Sequence, residues 1–133
     1  MTVPLDHVGI AVSNLAAGIQ RWAPLLGVPD GSPEEIPSQK VRVAFFAAGE
    51  THIELLEPTD PDSAVGQFLA RRGEGLHHLA FRVPSVDAAL ADVARTGGRL
   101  VDRSGRTGAR GRRVGFAHPS AFGGVLVEFV EVL

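Results

Sequence analysis

Leu5-Asp6-His7-Val8-Gly9-Ile10-Ala11-Val12 and Leu76-His77-His78-Leu79-Ala80-Phe81-Arg82-Val83 align without a gap at an offset of 71 residues, and both alternate as β-strands do. In the first, His7, Gly9 and Ala11 share one face while Val8, Ile10 and Val12 share the other. In the second, His78 and Ala80 lie opposite Leu79, Phe81 and Val83. Each copy therefore pairs a bulky packing face with a roomy face that carries a histidine. A second pair of runs, Thr51-His52-Ile53-Glu54-Leu55-Leu56 and Val125-Leu126-Val127-Glu128-Phe129-Val130, aligns at an offset of 74 and places a glutamate in each copy. His7 precedes Glu54 by 47 positions and His78 precedes Glu128 by 50, which is the mark of a duplicated unit.

Between the aligned strands each copy holds a capped helical pattern. Ser13 and Asn14 precede Leu15, Ile19, Trp22 and Leu26, ending at Gly27, and Ser85 precedes Val86, Ala89, Leu90 and Val93, ending at Gly97-Gly98. Pro24 should shorten or kink the first helix in its last turn. Three strands follow each helix, with Val41 to Ala47 and Arg113 to His118 as the middle ones. Asp62 or Ser63 caps a short apolar pattern between the copies. The order strand, helix, three strands, repeated, predicts an α+β fold in which two tandem βαβββ modules form one open mixed-sheet barrel around a metal site. The expected organisation is a single domain over residues 1–133, with module 1 about 1–60, a linker about 61–74 and module 2 about 75–133. A chain of this length buries roughly two-thirds of its unfolded surface.

Composition narrows the chemistry. There is no cysteine, so disulfides, thiolate metal sites and a thiol nucleophile are excluded, and any metal must be held by nitrogen and oxygen. The opening residues have no signal-peptide pattern, and the longest apolar run, Val43 to Ala48, is too short to span a bilayer, so a soluble cytoplasmic protein without a membrane partner is expected. The net charge is -2, yet Arg99, Arg103, Arg106, Arg110, Arg112 and Arg113 face only Asp102 in their stretch, a local +5 that leaves -7 elsewhere. No aromatic residue is interleaved there, which argues against nucleic acid and leaves a small polyanion or a solvated turn.

Buried glutamates in apolar strands are costly unless paired with a cation, and here they recur beside histidines at matching repeat positions. The metal ligands expected are His7, Glu54, His78 and Glu128. His77 faces away from His78, His52 and His118 have no repeat partner, and Glu57 and Glu131, three positions beyond the candidate ligands, are expected to be solvated. Two imidazoles and two carboxylates suit one divalent first-row ion, cobalt or manganese first, with nickel, zinc or iron also compatible. An octahedral ion so held keeps two open positions for a bidentate oxygen ligand such as a malonyl thioester, which implies proton abstraction next to a carbonyl.

The strings LDHVGIAVSNL, ELLEPTDPDSAVGQFLARRGEGLHHLAFRV and GARGRRVGFAHPSAFGGVLVEF, spread over nearly the whole chain, resemble the vicinal oxygen chelate (glyoxalase/bleomycin-resistance-like) superfamily and, within it, the methylmalonyl-CoA epimerase family. The resemblance implies an isomerase of propionate metabolism that interconverts (R)- and (S)-methylmalonyl-CoA by removing and returning a proton at C2 through a metal-stabilised enolate. It also implies a homodimer, metal ligands at His7, His78 and Glu128, and the position of a fourth ligand at Glu54. Glu128 matches a catalytic carboxylate as well. A second acid/base glutamate found in some members falls on Val43 here, leaving Lys40, Glu54 or a metal-bound water for that role. With an acyl-CoA substrate, Arg106, Arg110, Arg112 and Arg113 become candidates for the coenzyme A phosphates. The alternatives are a lactoylglutathione lyase of the same superfamily and a non-catalytic small-ligand-binding protein. A ring-cleaving dioxygenase fits less well, because its iron takes two histidines and one carboxylate.

Overall fold

The apolar alternation read from the sequence becomes eight strands and three α-helices in a computed structural model of the chain, which describes residues 3–132. They divide into two compact units, His7–His77 and the residues from His78 onward joined by those up to Asp6. The expected α+β class and the two tandem βαβββ modules are both present. None of the helices among the described residues is long and apolar enough to cross a membrane.

In the first unit, β1 (Leu5–Ala11), α1 (Leu15–Leu26), β2 (Glu34–Ile36), β3 (Val41–Ala48) and β4 (Thr51–Pro58) are followed by α2 (Ala64–Arg72). The strand order is β2-β3-β4-β1, antiparallel except for the parallel pair of β1 and β4. α1 covers the face carrying Val12, Ala44, Phe46 and Leu55, as the strand alternation requires. Fully burying side chains of this size stabilises by about 1.5–3 kcal/mol each. Asn14 caps α1 by accepting the Ala17 N–H. Pro24 neither shortens the helix nor stops it before Leu26, and Gly27 closes it with φ 84°.

The second unit repeats the plan with β5 (Gly75–Val83), α3 (Val86–Arg95), β6 (Arg106–Thr107), β7 (Arg113–Ala117) and β8 (Val127–Glu131), in the order β5-β8-β7-β6. β5 starts before the unit boundary, and β8 begins two residues later than the apolar run Val125 to Val130 implied. α3 packs on Val83, Ala117, Val127 and Phe129. Gly115 gives it a close approach, for a Cβ there would lie 2.8 Å from Leu90 Cδ1 and 2.9 Å from Val86 Cγ1.

Glu57 and Glu131 are only partly solvated, because each is engaged in a hydrogen bond. Glu57 Oε2 accepts the Leu15 N–H at 3.0 Å and Glu131 Oε1 accepts the Val86 N–H at 3.1 Å, so each satisfies the first amide of its module's helix. Arg42 lies 3.7 Å from Glu57 and Arg113 lies 3.9 Å from Glu131, a duplicated ion pair behind each cap. Helix N-termini favour negative charge, and α1 has no acid in its own first turn.

Two outcomes test this packing. A Cβ on Gly66 would stand 2.4 Å from the Pro61 carbonyl oxygen, which is backbone and cannot rotate aside. Alanine's helix propensity returns only about 1 kcal/mol, so Gly66→Ala should lower stability by ~1–2 kcal/mol and Tm by several degrees in calorimetry. Glu74 accepts the backbone N–H and the hydroxyl of Ser13 and pairs with Arg21, and these contacts, the Ser13 amide first, hold its carboxyl below the usual glutamate value. A lowered folded value means that this contribution is present above the unfolded value and is lost as pH falls through the folded one. NMR titration should find Glu74 acid-shifted, and Ser13→Ala should move it part of the way back.

Candidate functional site

In the His7–His77 unit the parallel register sets Gly9 beside Glu54, and β3 sets Phe45 directly opposite Glu54. A glycine at that place leaves the carboxylate room on the face that α1 does not cover. Its Oε1 lies 3.2 Å from His7 Nε2, and the residues are 3% and 4% exposed. Phe45 meets the imidazole edge-on at a centroid distance of 5.6 Å, which restrains the ring plane.

The second unit builds the same pair from the same parts. Ala80 lies beside Glu128, Phe116 lies opposite it, and Glu128 Oε1 is 3.0 Å from His78 Nε2 with 4% and 3% exposure. Phe116 is again T-shaped to the imidazole at 5.6 Å. The two phenylalanines were legible and unread: Arg42-Val43-Ala44-Phe45 and Arg113-Val114-Gly115-Phe116 align at the offset of 71 already given by the histidine strands.

Each pair thus offers one imidazole nitrogen and one carboxylate oxygen, converging in a dry and aromatic setting. An ionised carboxylate so buried needs a cation, and neutral imidazole supplies only part of that compensation. The donor set contains no sulfur and fits a divalent first-row ion of borderline hardness. Such an ion, when bound, supplies Lewis-acid stabilisation of negative charge on a coordinated substrate oxygen.

The other sequence candidates have local tasks. His77 meets Phe68 edge-on at a centroid distance of 4.9 Å, His52 pairs with Asp30 at 3.0 Å, and His118 Nδ1 accepts the Ser120 N–H at the start of a short 3-10 turn. Among the arginines, Arg112 donates to Asp6 and twice to the Glu131 carbonyl with its side chain only 14% exposed. Arg113 holds both oxygens of Asp87, whose carboxyl is kept below its usual range first by the Gly105 amide and then by that guanidinium. Arg106 has Nε 3.2 Å from Asp102, without hydrogen-bond geometry, and lies over the Phe116 ring. Arg110 sits exposed at φ 60° in the 3-10 turn Ala109–Gly111. Lys40 occupies the turn before β3 and pairs with Asp60 at 3.7 Å, while Val43 is 1% exposed between Glu34 and Leu56.

Residues 6–116 match the family model described as the glyoxalase/bleomycin resistance protein/dioxygenase superfamily. The chain is 36% identical over 128 residues to the mitochondrial methylmalonyl-CoA epimerase of Bos taurus, covering 96% of this chain and 73% of that one. It is 35% identical over 130 residues to the ethylmalonyl-CoA/methylmalonyl-CoA epimerase of Cereibacter sphaeroides, covering 96% and 97%. A solved methylmalonyl-CoA epimerase in complex with methylmalonyl-CoA and NH4+ superposes with a TM-score of 0.91 at 38% identity, covering 98% of this chain and 95% of that one. With the two buried His–Glu pairs standing on that fold, the chain belongs to the glyoxalase/bleomycin resistance protein/dioxygenase superfamily and, within it, to the methylmalonyl-CoA epimerase family.

Proposed function

We propose that the protein is a metal-dependent epimerase that interconverts (R)- and (S)-methylmalonyl-CoA, with one divalent cation held by His7, Glu54, His78 and Glu128. The observation that carries the reading is the pair of buried His–Glu contacts, made at equivalent positions of the two repeats. The substrate assignment is supported by the names of two relatives, the bovine methylmalonyl-CoA epimerase and the Cereibacter sphaeroides ethylmalonyl-CoA/methylmalonyl-CoA epimerase.

The reaction asks little of the chain beyond charge placement and proton transfer. The hydrogen on C2 of a malonyl thioester is acidified by two neighbouring carbonyl groups, and removing it leaves an enolate whose charge rests on oxygen. Glu128 is the base on this reading: its carboxylate takes the proton from C2 and holds it while the carbon is planar. Phe116 and the apolar residues flanking Glu128 exclude water, which strengthens each electrostatic contact there.

Three measurements bear on this. Metal-loaded protein incubated with one epimer of methylmalonyl-CoA in deuterium oxide should incorporate deuterium at C2 and lose optical purity, and chelation followed by gel filtration should abolish both. Glu128→Gln should slow exchange by about 100-fold to 10,000-fold, the usual worth of a positioned acid/base group. Replacing His7 or Glu54 should weaken cobalt or manganese binding in calorimetry by more than the ~10-fold to 100-fold that loss of an outer contact costs. Absence of exchange in the loaded wild-type protein, together with turnover of the methylglyoxal-glutathione adduct, would replace the epimerase with a lactoylglutathione lyase.

A further inference from the structure

His7 and His78 each meet the edge of a phenylalanine, and a phenylalanine ring turns about its side-chain bonds unless its other side is held as well. In both units that other side is held by the same kind of contact. Resting on the metal-site reading, we infer that Asp30 and Asp102 are positioning residues. Each locks the phenylalanine of its own unit, and through it the direction in which His7 or His78 presents Nε2.

Asp30 lies in the loop between α1 and β2, and Asp102 lies 72 residues later in the loop between α3 and β6, close to the offset of 71 that relates the histidines and the phenylalanines. The Asp30 N–H donates to the Phe45 carbonyl at 2.7 Å, and the Asp102 N–H donates to the Phe116 carbonyl at 3.1 Å. The backbone of each aspartate is thereby pinned to the backbone of the ring it serves. Its carboxylate then holds a second side chain against that ring. In the first unit Asp30 Oδ2 and His52 Nε2 are 3.0 Å apart, and the His52 ring meets Phe45 edge-on at 6.1 Å and 85°. In the second, Asp102 Oδ1 is 3.2 Å from Arg106 Nε, and the Arg106 guanidinium lies over the Phe116 ring with Cζ 5.8 Å from its centroid. The other oxygen of Asp102 accepts the Phe116 N–H at 2.9 Å.

Strand register explains why these two side chains reach. Phe45 opposes Glu54, and His52 stands two positions before Glu54 on β4. Phe116 stands two positions after Val114, which Arg106 opposes from β6. Both are diagonal neighbours of the phenylalanine on one face of the sheet, a distance that aromatic and long side chains span. The acid and the ring therefore repeat, while the group held between them comes from an inner strand in one unit and from the edge strand in the other. One three-part contact is built twice from non-equivalent residues, so what the two units share is a demand on the ring.

An imidazole that can tilt must be ordered when a cation binds, whereas one already aimed loses less freedom. Contacts behind a ligand of this sort change metal affinity by about 10-fold to 100-fold. Neither aspartate moves a proton of the substrate on this account.

The competing account is that both aspartates only tie the loop after each helix to the sheet. Asp30→Ala and Asp102→Ala separate the two, with His52→Ala and Arg106→Ala as variants that leave those loop ties in place. In metal-free protein the NMR signals of the His7 ring should move in Asp30→Ala and His52→Ala, and those of the His78 ring in Asp102→Ala and Arg106→Ala. Calorimetry should show cobalt or manganese affinity falling ~10-fold, with the larger loss at Asp102, whose side chain is 16% exposed against 52% for Asp30. Asp30→Asn and Asp102→Asn, which keep an oxygen in place, should recover most of it. In a Phe45→Leu background Asp30→Ala should cost no further affinity, because the ring through which it acts is gone. A lowered Tm with ring signals and metal affinity unchanged overturns the inference, as does full additivity with Phe45→Leu. A wild-type protein that binds neither metal would instead overturn the metal-site reading, and the ring signals of the metal-free variants would still decide what the aspartates do.

Discussion

The structure is organised around two carboxylates buried where water is nearly absent. Glu54 and Glu128 are each less than 5% exposed, and taking a carboxylate out of water costs several kcal/mol unless opposite charge or strong hydrogen bonding replaces the lost hydration. Each has an imidazole nitrogen at 3.0–3.2 Å, and each imidazole is braced by a phenylalanine edge. That is a poor arrangement for stability alone. A hydrophobic pair of similar volume would fill the same strands at lower cost, so the polar set suits holding a cation better than it suits stabilising the fold. The chemistry then follows from the fold, because the parallel register that buries each glutamate also puts a glycine or alanine next to it and opens the space a substrate needs.

Duplication reaches well beyond the ligands. Each module fixes its helix with a side-chain cap, Asn14 or Ser85, and with a glutamate from the end of its last strand, itself backed by an arginine on the middle strand. The helix is thereby anchored to the same strand that carries the buried glutamate three residues earlier. Moving either element shifts the other, which couples helix packing on one face to ligand position on the opposite face. Where the modules differ, the differences sit at the strand edges: Glu34 against Arg106, and a three-residue β2 against a two-residue β6.

Much of this was legible because it depends on period and spacing. The histidine strands, both helix caps, the paired glutamates and the packing face of every long strand follow from alternation and from offsets of 71 and 74. What stayed hidden depends on contacts between distant positions. Glu57 and Glu131 were read as solvated because parity puts them on the face away from the ligands, yet that face is where the helices start, 42 and 45 residues away in sequence. Pro24 was expected to shorten or kink the last turn of α1, and the helix nonetheless runs on to Leu26. The edge strands β2 and β6 carry too few residues to show a period at all.

The arginine-rich stretch shows how much of a local charge excess can be taken up by contacts within the fold. Its +5 balance looked suited to a phosphorylated coenzyme, but Arg112 is spent on Asp6, 106 residues away, and on the carbonyl of Glu131. Arg113 closes a fork on Asp87 at the first turn of α3, and Arg106 leans on Asp102 and Phe116. Withdrawing Arg112 to meet a phosphate would leave Asp6 buried at 9% exposure with less compensation, and breaking such a pair costs about 3–5 kcal/mol. A phosphate contact at the surface returns less than that in salt. Two of the acids that balance the stretch, Asp6 and Asp87, are remote in sequence, and the local excess fastens the start of β1, β8 and α3 together within one unit.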